Sequence, residues 1–173
     1  MNNALKMLYD EHEIIGQAIE IAKQASSLVG NNDEQYEKTV LELIRFFKNY
    51  SDQYHHRKEE EILFPEMEKK NEMLSDGVIH EMLSNHEDFR EMIRSIEKSL
   101  SGKNYAEAQS RLEQYTEALL DHIAVENDEV FQMTESLFSE DELDKIYFRF
   151  QDSDRELGDT LKEEWVSAIS QGG

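Results

Sequence analysis

The sequence contains no cysteine, which excludes disulfide bonds, iron–sulfur clusters, thiolate zinc sites and cysteine nucleophiles. Any metal ion must therefore be held by nitrogen and oxygen atoms. Positive charge is also scarce, because 39 acidic residues outnumber 18 basic residues and give a formal net charge of −21. Nucleic acids and anionic membrane surfaces attract basic proteins, so we expect this protein to bind neither of them.

Long apolar runs are missing as well. No segment is long enough to span a bilayer, and the N-terminus lacks the apolar core of a signal peptide, so we expect a cytoplasmic protein. A length of 173 residues is typical of one domain with a substantial core. One proline and seven glycines, in a chain rich in Glu, Leu and Lys, predict an all-α fold.

The spacing of apolar residues predicts four long helices, over about 3–29, 33–64, 78–100 and 104–136. Pro65 is expected to break or kink the second helix, and a short extra turn should follow it as far as Asn71. Short polar turns separate the helices. This arrangement favours an up-down-up-down four-helix bundle over residues 1–138.

A second helical region is expected after the bundle. Ser139 and Glu142 have the spacing of a capping box, which marks a helix start. Residues 139–171 should form one or two helices, with a kink near Gly158, packed on the outside of the bundle. The terminal Gly172-Gly173 pair is expected to be disordered.

Each bundle helix carries a histidine where its apolar stripe would otherwise continue; these are His12, His55, His86 and His122. Two of them are followed one turn later, on the same face, by Glu59 and Glu126. Burying ionised carboxylates without partners is prohibitively costly. A lone inward histidine is explained by a bond to a backbone carbonyl, but a polar layer across four helices is explained more directly by a metal site.

The donor types narrow the class of metal site. Imidazole nitrogen and carboxylate oxygen bind Zn, Fe, Mn or similar ions. A ferritin-like site needs Glu-x-x-His on two helices, and of the positions three before each histidine only Asp52 is acidic. His12, His80 and His86 each begin the His-Glu-x-x-His motif of zinc proteases, but none completes it. The His-x-x-x-Glu spacing is a weak signal in so acidic a chain, so the evidence is its coincidence with buried faces.

On these residues the chain resembles the hemerythrin-like (HHE cation-binding) domain family. Its members carry a histidine on the first and third helices, His-x-x-x-Glu on the second, and His-x-x-x-Glu or His-x-x-x-x-Asp on the fourth. The run HHRKEEEILFP at 55–65 and the run GVIHEMLSNHEDFR at 77–90 resemble a bacterial branch of the family, in which C-terminal helices also occur. The resemblance spans about Leu5 to Met133.

The chain departs from the oxygen-carrying hemerythrins on its third and fourth helices. Those proteins have two third-helix histidines one turn apart, whereas Met82 and Arg90 lie four residues either side of His86. His56 holds the place of a ligand in the similar iron-sensing domain of an F-box ubiquitin-ligase subunit, so it is expected to replace the missing histidine. Asn127 stands where oxygen carriers have aspartate. These differences weigh against reversible oxygen carriage.

The resemblance implies a non-haem centre of two iron ions, joined by carboxylate bridges and by an oxo or hydroxo bridge. The implied ligands are five histidines and two bridging glutamates: His12 and His55 on one iron, His56, His86 and His122 on the other, and Glu59 and Glu126 between them. Glu60 is the alternative to Glu59, because it follows His56 by the same four residues. His80 is expected to lie on the surface or outside the ligand set.

Three functions are compatible with such a centre. The leading hypothesis is a protein that binds or senses O₂, peroxide or NO, with catalase-like peroxide decomposition as its enzymatic form. The second is an iron-storing or iron-sensing module without redox turnover, read out through a protein partner on the C-terminal helices. The third is a zinc-stabilised bundle with no redox role. The sequence specifies neither a protein partner nor an oligomeric state.

Overall fold

The part of the chain that the structure describes is almost entirely helical. The computed structural model covers residues 1–171, so the predicted disorder of Gly172 and Gly173 falls outside the described range. Within that range six helices make up nearly all of the chain and no strand is present. The prediction of an all-α bundle with additional C-terminal helices is confirmed. None of the helices described is both long enough and apolar enough to cross a membrane.

The first four helices form the bundle. Their bounds are Asn3–Gln24 for α1, residues 33–70 for α2, Val78–Ser101 for α3 and residues 105–137 for α4. Asparagine side chains accept a backbone N–H at the start of three of these helices: Asn2, Asn32 and Asn104. Such caps satisfy backbone donors that have no partner within the helix.

The apolar core of the bundle is divided into two clusters. One cluster contains Ile15 and Leu119, and the other contains Leu8 and Val130. On α1, therefore, His12 lies between a residue of one cluster and a residue of the other. The same order holds on the other bundle helices, so the inward histidines and glutamates form a single polar layer with apolar side chains on both sides.

Helix α2 continues through Pro65, so the break that was one of the two predicted outcomes does not occur. Helical structure continues directly into the segment Phe64–Lys70, with the proline in its first turn. The preceding turn, Glu59–Leu63, is π-helical, so its backbone bonds join residues five apart. That change of register leaves the proline at the start of a new α-helical segment, where a missing N–H is tolerated.

Two helices beyond the bundle pack against α1. α5 spans Glu140–Leu157 and begins with the predicted capping box, in which Ser139 and Glu142 each bind the other's backbone N–H. Gly158, with a φ of +106°, ends this helix, and α6 spans Asp159–Gln171. The kink expected near Gly158 is thus a corner between two separate helices.

We expect Gly158→Ala to lower the free energy of unfolding by about 1–3 kcal/mol, because alanine rarely adopts a φ of +106°. The matched change Gly16→Ala should raise it by about 0.5–1 kcal/mol, since alanine is the better helix former. Gly16 lies within α1, and a Cβ added there meets no atom within 4 Å. Urea denaturation followed by circular dichroism measures both changes. Effects of the same sign would contradict this conformational explanation.

Candidate metal centre

Wide helical turns carry the predicted ligands of α2 and part of those of α4. The π-helical turns cover Phe47–His56, Glu59–Leu63 and Glu126–Val130. The two predicted bridging glutamates each begin one of these turns. Because a π-helical turn contains more residues than an α-helical turn, neighbouring side chains diverge less in direction. This local widening lets the adjacent residues His55 and His56 both point into the core, where both are buried.

The seven predicted ligands all lie buried in the middle of the bundle. Their donor atoms form two groups, and within each group the atoms lie within 4.8 Å of one another. The groups are His56, Glu59, His86 and His122, and His12, His55, Glu59 and Glu126. Three imidazoles lie in the first group and two in the second, which is the division that was assigned from the sequence. Their ligation of a metal stays a prediction.

Glu59 reaches both groups, whereas Glu60 lies outside them. The Oε1 atom of Glu59 lies 3.4 Å from Nε2 of His55, and its Oε2 atom lies 3.5 Å from Nε2 of His86. Glu60 instead lies 2.7 Å from Nδ1 of His86, on the outer side of that ring, and accepts a hydrogen bond from Arg90. Glu60, the alternative ligand, therefore supports His86 from outside the two groups.

Glu126 also spans the two groups. Its Oε2 atom lies 3.1 Å from Nε2 of His12, and its Oε1 atom lies 3.0 Å from Nε2 of His122. Within residues 1–171, the four buried carboxylate oxygens of Glu126 and Glu59 have no hydrogen-bond donor when the nearby Nε2 atoms carry lone pairs. Such oxygens are costly unless cations neutralise them. The set of imidazole nitrogens and carboxylate oxygens fits ions such as Fe, Mn or Zn.

Each of the five imidazoles directs its Nδ1 atom to an oxygen outside the two groups. The pairs are His12 with Asn127 at 2.7 Å, His55 with Glu11 at 2.8 Å, His56 with Asp52 at 3.4 Å, His86 with Glu60 at 2.7 Å, and His122 with Asn85 at 3.2 Å. A neutral imidazole that donates through Nδ1 presents a lone pair on Nε2. These oxygens therefore select the tautomer that can bind a metal, and they fix the ring orientation.

Sequence reasoning did not assign these supporting roles. Asp52 could have been found from its position one turn before His56 on the same helix. Glu11, Asn85 and Asn127 lie on different helices from the histidines that they contact, so no local spacing identifies them. The supporting layer is therefore mostly a product of the tertiary structure.

Burial keeps three of the imidazoles neutral. Loss of hydration, together with repulsion from neighbouring histidines, lowers the pKa of His55, His56 and His86 to about 3. Burial and the adjacent charge of Glu126 raise the pKa of Glu59. Metal ligation requires neutral imidazoles, so these rings are already in the ligating protonation state. His80, in contrast, is exposed.

A cavity of about 420 Å³ lies beside His56. Aromatic side chains, including Phe89 and Tyr115, line it together with the cationic side chains of Lys48 and Arg90. The ring of Phe89 also packs edge-on against His122, with the ring centroids 5.1 Å apart. The cavity therefore provides space for a small molecule next to the side chains that surround the polar layer.

The comparison with known families agrees with this geometry. The sequence model of the hemerythrin HHE cation binding domain matches residues 3–134, a range that contains all seven predicted ligands. No curated protein and no solved structure shows significant similarity to the chain. The family resemblance inferred from the histidine and glutamate motifs is thus confirmed over most of the sequence. The chain belongs to the hemerythrin HHE cation-binding domain family.

Proposed function

We propose that this protein is a non-haem di-iron protein that binds or senses a small oxidant, meaning O₂, peroxide or NO. The observation that carries the proposal is the position of Glu59 and Glu126, each of which reaches imidazoles of both groups. A carboxylate between two cations offsets their mutual repulsion, which is strong in a buried site. This arrangement suits a pair of cations better than two independent sites.

The two groups differ in their number of imidazoles. One has three histidines, and the other has only His12 and His55. If Glu59 and Glu126 each bridge the two ions, the ion of the first group has three histidines beside them and the ion of the second has only two, which leaves more coordination positions for an external ligand. When bound, iron supplies the capacity to exchange electrons with such a ligand. Peroxide decomposition would be the enzymatic form of this function.

The surroundings of the polar layer suit a small, uncharged ligand. Apolar clusters on both sides keep bulk water out of the layer. Outside the polar layer, Asp52 contacts His56. The guanidinium of Arg90 donates in turn to both carboxylate oxygens of Asp52. The cavity beside His56 provides space for a molecule of the size of O₂ or peroxide on the side of the three-histidine group. Asp52 and Arg90 together fix the orientation of His56.

Protein purified from iron-supplemented cells should contain two iron ions per chain and show a visible absorption that changes on addition of peroxide or NO. Elemental analysis for Fe, Mn and Zn, spectra before and after each oxidant, and oxygen evolution from peroxide test these expectations. Two irons with a spectrum that responds to no oxidant would favour iron storage or iron sensing instead. One zinc ion and no colour would contradict the proposal.

Glu59→Gln should reduce the metal content from two ions per chain to one or fewer, because the neutral amide cannot bridge two cations. Glu60→Gln should retain both ions, and the exposed neighbour Glu61 supplies the control Glu61→Gln. The metal-free Glu59→Gln protein should be no less stable than the metal-free unsubstituted protein, since the change removes a buried acidic group. Elemental analysis and thermal unfolding measure these effects. Loss of metal from Glu60→Gln but not from Glu59→Gln would reverse the two assignments.

A further inference from the structure

A second cluster of buried charges lies next to the polar layer, on the side of the C-terminal helices. It consists of Glu11 on α1, Lys58 on α2, Asp154 on α5 and Lys162 on α6. The ammonium of Lys58 contacts Glu11 and lies 2.8 Å from Asp154, and the ammonium of Lys162 lies 2.7 Å from Glu11 and also contacts Asp154. The side chain of Lys58 is 0% exposed, and those of Glu11 and Asp154 are 3% and 5% exposed. The four formal charges sum to zero.

Glu11 connects this cluster to the candidate metal centre. Its Oε1 atom contacts both lysines, while its Oε2 atom lies 2.8 Å from Nδ1 of His55. A carboxylate that accepts a hydrogen bond from the outer nitrogen of a metal-binding histidine orients the ring and strengthens it as a donor. The charge on Glu11 thus acts on His55, one of the two histidines in the His12–His55 group.

The two lysines hold that charge in place. Burial opposes a negative charge on Glu11, but its Oε1 atom contacts the ammonium groups of Lys58 and Lys162 and its Oε2 atom accepts from His55, so the charge is compensated. Lys162 and Asp154 lie outside residues 3–134, the range that matches the family. Helix α2 also binds the corner between α5 and α6, because the Tyr54 hydroxyl donates to the Gly158 carbonyl at 2.7 Å.

We infer that Glu11 is a positioning residue for His55, and that Asp154 and Lys162 of the C-terminal helices set how firmly the His12–His55 group retains its metal ion. This inference rests on the proposed function, since it presumes an ion in each group. Without Lys162, two buried carboxylates share the single ammonium of Lys58. The charge of Glu11 is then poorly compensated, and His55 is poorly held. The ion in the His12–His55 group therefore leaves first.

The alternative is that these ion pairs only attach α6 to the bundle. Buried ion pairs often contribute little to stability compared with apolar residues of similar size, so loss of stability alone would not separate the two roles. A pair of substitutions does separate them. Lys162→Met removes one positive charge, whereas Lys162→Met combined with Asp154→Leu removes a charge of each sign and leaves Glu11 paired with Lys58. If the lysine compensates the charge of Glu11, metal retention should recover in the double variant. If the ion pairs only attach α6, metal retention should be weaker in the double variant than in the single variant.

The experiment measures the release of Fe²⁺ from the loaded full-length protein to a coloured ferrous chelator, under anaerobic conditions. We expect Lys162→Met to release one ion per chain about 10–100-fold faster than the unsubstituted protein, with the second ion unaffected. Lys162→Met with Asp154→Leu should return to within about threefold of the original rate. The matched control is Lys70→Met, which removes a surface pair between α2 and Glu142 of α5. Circular dichroism of the metal-free proteins verifies folding of each variant.

Three results would overturn the inference: an unchanged rate in Lys162→Met, equal acceleration of both ions, or a double variant that releases iron as fast as the single variant or faster. Should Lys162→Met not fold, Lys162→Gln, which keeps hydrogen-bonding capacity without the charge, carries the same expectation. Failure of the unsubstituted protein to retain Fe²⁺ at all would instead overturn the proposed function. The two failures are therefore distinguishable.

Discussion

The structure depends on the burial of two carboxylates for which residues 1–171 provide no hydrogen-bond donor other than the nearby imidazoles. Glu59 and Glu126 lie in the centre of the bundle, between two apolar clusters, and their oxygens lie close to imidazole nitrogens and to each other. Protein interiors rarely contain such groups, because each one forfeits its hydration without compensation. Cations held by the same imidazoles would supply the missing interaction. Folding and metal binding are then linked, since the bundle is fully satisfied only when its core contains positive charge.

The backbone is adapted to this layer as much as the side chains are. Three π-helical turns interrupt otherwise regular helices, and each includes or begins at a residue of the layer. π turns are rare because they sacrifice the close packing of the α-helix, and they are found most often at functional sites. In α2 they direct His55 and His56 toward the same region and also accommodate Pro65. The first of these turns serves the layer, and the second serves both the layer and the continuity of the helix.

The layer is supported by a shell of side chains from the four bundle helices, and the C-terminal helices reach that shell through Asp154 and Lys162. Each histidine is oriented by an oxygen acceptor, and several of these acceptors are held in turn by a cation: Arg90 binds Asp52 and Glu60, and the lysine pair binds Glu11. In a chain with a net charge of −21, several basic side chains are thus placed where they compensate acidic groups around the core. The C-terminal helices thereby become part of the surroundings of the centre.

Sequence by itself determined the helical fold, the four inward histidines and the positions of Glu59 and Glu126, because helix periodicity is a local property that spacing reveals. It did not determine that α2 continues past Pro65, since the π turn that permits this arises from local backbone geometry within a packed core. Only the tertiary structure decided which oxygens hold the four imidazoles other than that of His56, and that Lys162 lies beside Glu11. Those contacts join residues 26 to 151 positions apart, and they form only when separate helices pack together.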